Sequence, residues 1–190
     1  MLTLFISTYN EYVIIGLLKD GKEISLINRT SLKGHNTLIV PSIEEILKNN
    51  NLTVHDLNNI IVVNGPGSFT GIRFGITVAK TLAYTLNISI KTISSIEAIA
   101  CSISDKDKII TINDSKGKYI GKFINHELVD LIYLKETEAI KYLDDNNLPI
   151  FSEFKFDLEA IYNYSLNLQS VPAHAVKALY IKEIEALHGR

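Results

Sequence analysis

The sequence predicts an α/β protein of two lobes, each built on a mixed central sheet, the second lobe abbreviated. Three observations predict it. Residues 60–86 read as a short β-branched run, a Gly-rich break and a long stretch at helical spacing. Three strand-like runs open the chain and give way to alternating helix and strand. The opening theme then returns after residue 104, in a segment too short to repeat everything.

Leu2 to Ser7, Tyr12 to Leu18 and Glu23 to Arg29 read as strands, with Asp20-Gly21 as the hairpin signal between the last two. His35 to Asn49 reads as a helix that buries Leu38, Ile39, Ile43, Ile46 and Leu47 and bends at Pro41, which lacks an N–H. One helical turn at Val54 leads to Ile60–Val63, an apolar run suited to a strand buried on both faces. Asn64 to Ser68 break the chain, and Ser68 or Thr70 can cap the helix from Phe69 to Leu86. Ile88 to Thr92 is a short strand, and Ser94 starts an apolar helix. The polar run Ser104–Lys108 is the best boundary, dividing a first domain, 1–104, from a second, 105–190. In the second, Lys108–Asn113, Lys118–Asn125 and Leu128–Leu134 are strands, followed by a helix at Thr137–Asp145, a short strand at Pro149–Ser152 and a helix at Phe156–Leu166.

Composition narrows the classes of function. The 190 residues are 46% hydrophobic and 21% charged, as in ordinary globular proteins, with a net charge of −2. That balance supplies no strong basic field for RNA, so any RNA would be held mainly by another subunit. One cysteine, Cys101, excludes an internal disulfide and suits a reducing compartment. No apolar run has membrane-spanning length and no leader-like pattern opens the chain, so a cytoplasmic protein is expected.

The Gly-rich turn invites a phosphate-binding reading, because free N–H groups at a helix start attract anions. Its spacing disagrees. Gly65-x-Gly67-x-x-x-Gly71 is one residue too long for a dinucleotide fingerprint, and no Gly-Lys-Ser/Thr follows. A tight turn for close packing is preferred; Gly65, Gly67 and Ser68 remain weak cofactor-binding candidates. Along the helix, the apolar positions from Phe69 to Leu86 fill about half the circumference. Gly71, Gly75, Ala79 and Ala83 form a row of small residues inside that arc. Such a row permits close approach either by the protein's own sheet or by a partner helix, and spacing alone leaves both open. Elsewhere the signals are weak. No two of His35, His55, His126, His174 and His188 stand at i, i+4, and no Gly-x-Ser-x-Gly elbow occurs. Cys101 lies in an apolar helix, where an inert role fits best. The tyrosines are scattered rather than grouped for base stacking.

Asn64-Gly-Pro-Gly-Ser-Phe-Thr-Gly-Ile-Arg-Phe-Gly resembles the signature of the bacterial TsaB (YeaZ) family. Leu4-Phe-Ile-Ser-Thr, His35 with Pro41, Ser95-Ile-Glu97-Ala and Leu179-Tyr-Ile-Lys182 extend the resemblance. It implies an actin-like, ribonuclease-H-like (ASKHA) fold and a non-catalytic role. The partners would be a TsaD-type transferase and a TsaE-type ATPase, in making threonylcarbamoyladenosine at position 37 of tRNAs. No cofactor or metal is implied, and tRNA would be met only through the complex. Ser7 stands where the family has Asp, and Asn113-Asp114-Ser115 replaces its Asp-Ala-Arg, which weakens the rival reading as an actin-like ATPase or sugar kinase. The missing histidine pair weakens a peptidase reading. The resemblance and the wide apolar arc together predict an interface, with TsaD or a second copy, made by His35, Leu38, Ile39, Gly71, Ile72, Gly75, Val78, Ala79, Leu82 and Ala83.

Overall fold

The computed structural model describes residues 1–31, 34–152 and 155–181. Strands β1 (Leu2–Ser7), β2 (Tyr12–Lys19) and β3 (Lys22–Thr30) form an antiparallel meander. Asp20 and Gly21, at φ 51° and 82°, make its turn in the left-handed backbone region that Gly allows most freely. Helix α1 (Ile39–Asn49) then leads to β4 (Asn59–Val63), α2 (Phe69–Leu86), β5 (Ser89–Ile93) and α3 (Ser95–Cys101). The first sheet has the order β3-β2-β1-β4-β5, with β1, β4 and β5 parallel. Every residue of β1 and β4 is buried, as parallel strands covered on both faces require.

The second sheet repeats the opening. Strands β6 (Lys108–Asp114), β7 (Gly117–Ile124) and β8 (Glu127–Lys135) are an antiparallel meander, α4 (Glu136–Asn146) follows, and β9 (Ile150–Phe151) pairs parallel with β6. Its order is β8-β7-β6-β9, so among the described residues nothing corresponds to β5. Helices α1 and α2 cover one face of the first sheet, α1 over β2 and β3 and α2 over β4 and β1. On the other face lies α5 (Leu158–Ser165), which packs on β2, β3 and α3, while α3 also touches β6 and β7. The core therefore runs continuously from the first sheet through this middle layer to Ile112, Tyr119 and Phe123 of the second.

One expectation is corrected. The helix expected over 35–49 is a 3-10 turn at His35–Thr37 followed by α1 from Ile39. Pro41 thus sits in the first turn, where its absent N–H costs nothing, so no bend is needed. After the second sheet the chain returns to the first through α5. Beyond α5, residues 171–181 form a strap over the first sheet and α2, starting where Val171 N donates to Ile90 O at 3.0 Å. Lys182 and His188 lie outside the described residues.

Candidate functional site

The Gly-rich turn is knitted into its surroundings. Ser68 N donates to Tyr9 O at 2.6 Å, Ser95 N donates to Gly65 O at 2.9 Å, and Leu179 N donates to Asn64 O at 2.8 Å. Ser95 Oγ donates to Pro66 O, and Gly71 N donates to Ser68 Oγ at 3.2 Å, which makes Ser68 the helix cap. Two N–H groups that an anion would use are thereby occupied by the protein. Gly67 has φ 148°, and a Cβ there would lie 2.1 Å from Tyr9 O. Glycine is required for backbone packing, which supports the tight-turn reading of Gly65, Gly67 and Ser68.

The same packing explains the small-residue row. A Cβ on Gly71 would lie 2.3 Å from Thr8 O, and one on Gly75 would lie 2.4 Å from Thr8 Oγ1. Thr8 Oγ1 donates to Gly71 O at 2.8 Å, tying α2 to the end of β1. Ala79 and Ala83 are buried too, as are Ile39 and Ile72. These six expected interface residues therefore serve the protein's own core. A row of small side chains brings the helix close to a sheet as readily as to another helix. His35 is half-buried; its Nε2 lies 2.6 Å from Asn10 O, and its ring faces Gly71. Leu38, Val78 and Leu82 are also half-buried, and beside them Val40 (46%) and Phe74 (37%) are exposed. At 100° per residue, Phe74, Val78 and Leu82 share the flank of α2 that carries Gly71, whose neighbour is His35 just before α1. The outer surface of the α1–α2 pair accordingly carries apolar side chains among exposed polar ones, Glu44 on α1 and Thr77 and Thr81 on α2.

A cleft of about 970 Å³ opens between the two meanders. Asn10 and Glu11 line it from the loop after β1, Asn113 to Ser115 from the turn after β6, and Pro66 to Phe69 from the Gly-rich turn. The strap contributes Leu179 to Ile181, and His35 and Tyr119 complete much of the wall. The described lining contains two carboxylates, Glu11 and Asp114, and no Lys or Arg. Tyr133 OH donates to Asp114 Oδ2 at 3.0 Å. Such a wall attracts cations and repels a polyphosphate. Ser7, at the end of β1, is buried with its Oγ lacking a hydrogen-bond partner, and it does not line this cleft. A carboxylate there would carry a large desolvation cost.

A second cavity, about 440 Å³, lies where α3, α5 and the start of β6 meet. Lys108, which ends the polar run Ser104–Lys108 in the sequence, is buried there and donates from Nζ to Ile103 O at 2.8 Å and Asp105 O at 2.7 Å. Desolvation lowers its pKa. Cys101 and His126 share the lining, but burial and then the Glu97 charge push the thiol up to about 12. An activated cysteine shows the opposite shift. Among the described residues, no three His, Cys, Asp or Glu side chains gather as a metal site, and no helix is long and apolar enough to cross a membrane.

Two meanders facing across a cleft, with helices between and outside them, define an actin-like α/β protein. In sequence, the TsaB tRNA threonylcarbamoyladenosine biosynthesis protein of Bacillus subtilis is 36% identical over 111 residues, 58% of this chain and 48% of that protein. That of Buchnera aphidicola subsp. Schizaphis graminum is 31% identical over 128 residues, 65% of this chain and 60% of its own. The family model of TsaD, tRNA N6-adenosine threonylcarbamoyltransferase, matches residues 28–116. In structure, YeaZ from Pseudomonas aeruginosa aligns with TM-score 0.75 at 17% identity, covering 94% of this chain and 99% of that one. A second Pseudomonas aeruginosa structure, described as similar to peptidase YEAZ, aligns with TM-score 0.80 at 16% identity, covering 95% and 99%. The chain is thus similar to TsaB proteins in sequence and to YeaZ in fold. Its alignments span about half the length of the curated relatives it matches.

Proposed function

We propose that the chain is a non-catalytic subunit of the assembly that forms N6-threonylcarbamoyladenosine at position 37 of tRNAs. It docks a TsaD-type transferase through the outer face of α1 and α2, and a TsaE-type ATPase joins the same assembly in the cytoplasm. Residues 1–104 act as the docking lobe and 105–190 as an abbreviated second lobe. The observation that carries the docking is the outer face itself. Val40 and Phe74 are exposed, and Leu38, Val78 and Leu82 beside them are only half-covered by the chain. Exposed apolar side chains grouped on one surface are the usual mark of an interface.

The rival enzymes fit less well. An ATPase or sugar kinase needs donors at its phosphates, whereas the described cleft wall has no Lys or Arg and two N–H groups of the Gly-rich turn are already engaged within the protein. A cysteine peptidase needs a thiolate, and Cys101 is held protonated. The test is calorimetric titration of the chain with the TsaD-type transferase of its own source, comparing wild type with Phe74→Glu. A charge placed in a buried contact should weaken binding by about tenfold or more, ~1.4 kcal/mol. The melting temperature should hold, because Phe74 is already 37% exposed. Undiminished binding by both Phe74→Glu and Val40→Glu would remove this face from the interface. If a second copy of the chain uses the same face, both substitutions shift the sedimentation of the isolated chain as well.

A further inference from the structure

The other flank of α2 has a different character. Residues 57–96 and 160–181 contain no Asp or Glu, although the chain as a whole is net acidic. The fold brings parts of these two stretches together, because the strap lies along α2 and crosses the Gly-rich turn. Lys80 Nζ donates to Val176 O at 3.2 Å and His174 O at 3.3 Å, and Asn64 Nδ2 donates to Lys177 O at 3.3 Å. Arg73 Nε donates to Tyr180 OH at 2.9 Å, and its guanidinium carbon lies 3.8 Å from the centroid of the Phe69 ring. The rings of Phe69 and Tyr180 stand 5.7 Å apart, and each residue is about half exposed. At 100° per residue, Phe69, Lys80, Arg73 and Tyr84 fall within about 60° of arc, away from the α1 flank. Lys177 is exposed on the strap beside them, and Tyr84 is 80% exposed.

We infer that this flank contacts RNA, with a base stacked at Phe69 and Tyr180 and phosphates against Arg73 and Lys177. The inference takes the identity of the RNA, a tRNA, from the function proposed above. The charge pattern and the rings argue for RNA independently. A stacked guanidinium keeps donors free for a phosphate while one edge is engaged. Aromatic rings beside Arg are how proteins hold unstacked bases. The absence of carboxylates from both segments removes the repulsion that would otherwise offset so few cations. Glu11 and Asp114 line the cleft, so the phosphates lie outside its mouth, along the strap. Composition conceals this surface because its two halves are far apart in the sequence.

The test is fluorescence anisotropy of the full chain with an unmodified tRNA transcript over a salt series. Lys177→Glu should weaken binding about three- to tenfold and lower the salt slope by roughly one. Tyr180→Ala should weaken it by about fivefold or more while leaving the slope unchanged, and Tyr180→Phe should retain binding, because stacking releases no counterions. Lys48→Glu, on α1, should behave as wild type. Wild-type affinity in both Lys177→Glu and Tyr180→Ala would overturn the inference, as would equal weakening by Lys48→Glu. Titration of the same variants with the TsaD-type transferase separates the two readings. Loss of the protein partner with tRNA binding intact makes this flank a protein contact and overturns the RNA assignment. Normal docking by Phe74→Glu removes the α1–α2 face and leaves the RNA result standing.

Discussion

Gly71 and Gly75 fix how closely α2 can approach the end of β1. With Thr8 O only 2.3 Å from a Cβ built on Gly71, Gly71→Ala must displace backbone rather than a flexible side-chain tip. We expect a loss of about 1–3 kcal/mol. In thermal denaturation that lowers Tm by roughly 2–4 °C per kcal/mol. A Tm equal to wild type would show that the contact with Thr8 relaxes without cost. Spacing revealed the row of small residues, but not its neighbour. Thr8 stood out only as part of the Leu4-Phe-Ile-Ser-Thr stretch, and nothing in the spacing tied it to Gly71.

Cys101 illustrates the same limit for electrostatics. The sequence placed it in an apolar helix, and the structure adds burial and then the Glu97 charge, which push the thiol from an ordinary value of 9.0 up to about 12. The native state keeps its proton where the unfolded chain would lose it. Its contribution to stability is therefore complete below pH 9 and disappears as pH rises from 9 towards 12. Alkylation by iodoacetamide at pH 8 should be slow in the folded protein and fast in denaturant. Equal rates in both states would contradict the assigned environment.

At the scale of the element, α2 has three faces with three chemistries. Gly71, Gly75, Ala79 and Ala83 meet the sheet; Phe74, Val78 and Leu82 look towards the α1 side; Phe69, Arg73 and Lys80 lie beside the strap. The apolar arc was legible from the period of 3.6, and so was its excess over what one sheet covers. Which part of the arc remained outside was not, because that depends on Thr8, His35 and the strap. The strap was the hardest to foresee. Residues 171–181 have no regular period, and most of their described ties are to backbone carbonyls and amides. Helix α1 was misjudged at its start for a local reason, since Pro41 fits a first turn as well as a kink. Loss of transferase binding by Phe74→Glu, with Gly71→Ala binding normally once folded, is the element-scale signature of an interface on the outer face.

For the whole molecule, the repeated meander was readable because three strand-like runs return in order after the polar run at Ser104–Lys108. The cleft between them was only half readable. Asn113 to Ser115 stood out as a departure from the family pattern, whereas Asn10 and Glu11 opposite carried no such mark. Lys108, satisfied by two backbone carbonyls in the second cavity, shows why burial of a charge escapes a reading by periodicity.

The central claim is that this chain contributes a docking surface and no chemistry. Reconstituted modification of a tRNA transcript, with the TsaD- and TsaE-type partners and their substrates, tests it most directly. Three preparations of the chain are compared: wild type, Phe74→Glu, and Glu11→Gln combined with Asp114→Asn in the cleft. Modification should require the chain, fall by about tenfold or more with Phe74→Glu at concentrations that limit docking, and continue near the wild-type rate with the cleft variant. A dead cleft variant that still docks normally, or a fully active Phe74→Glu, would contradict it.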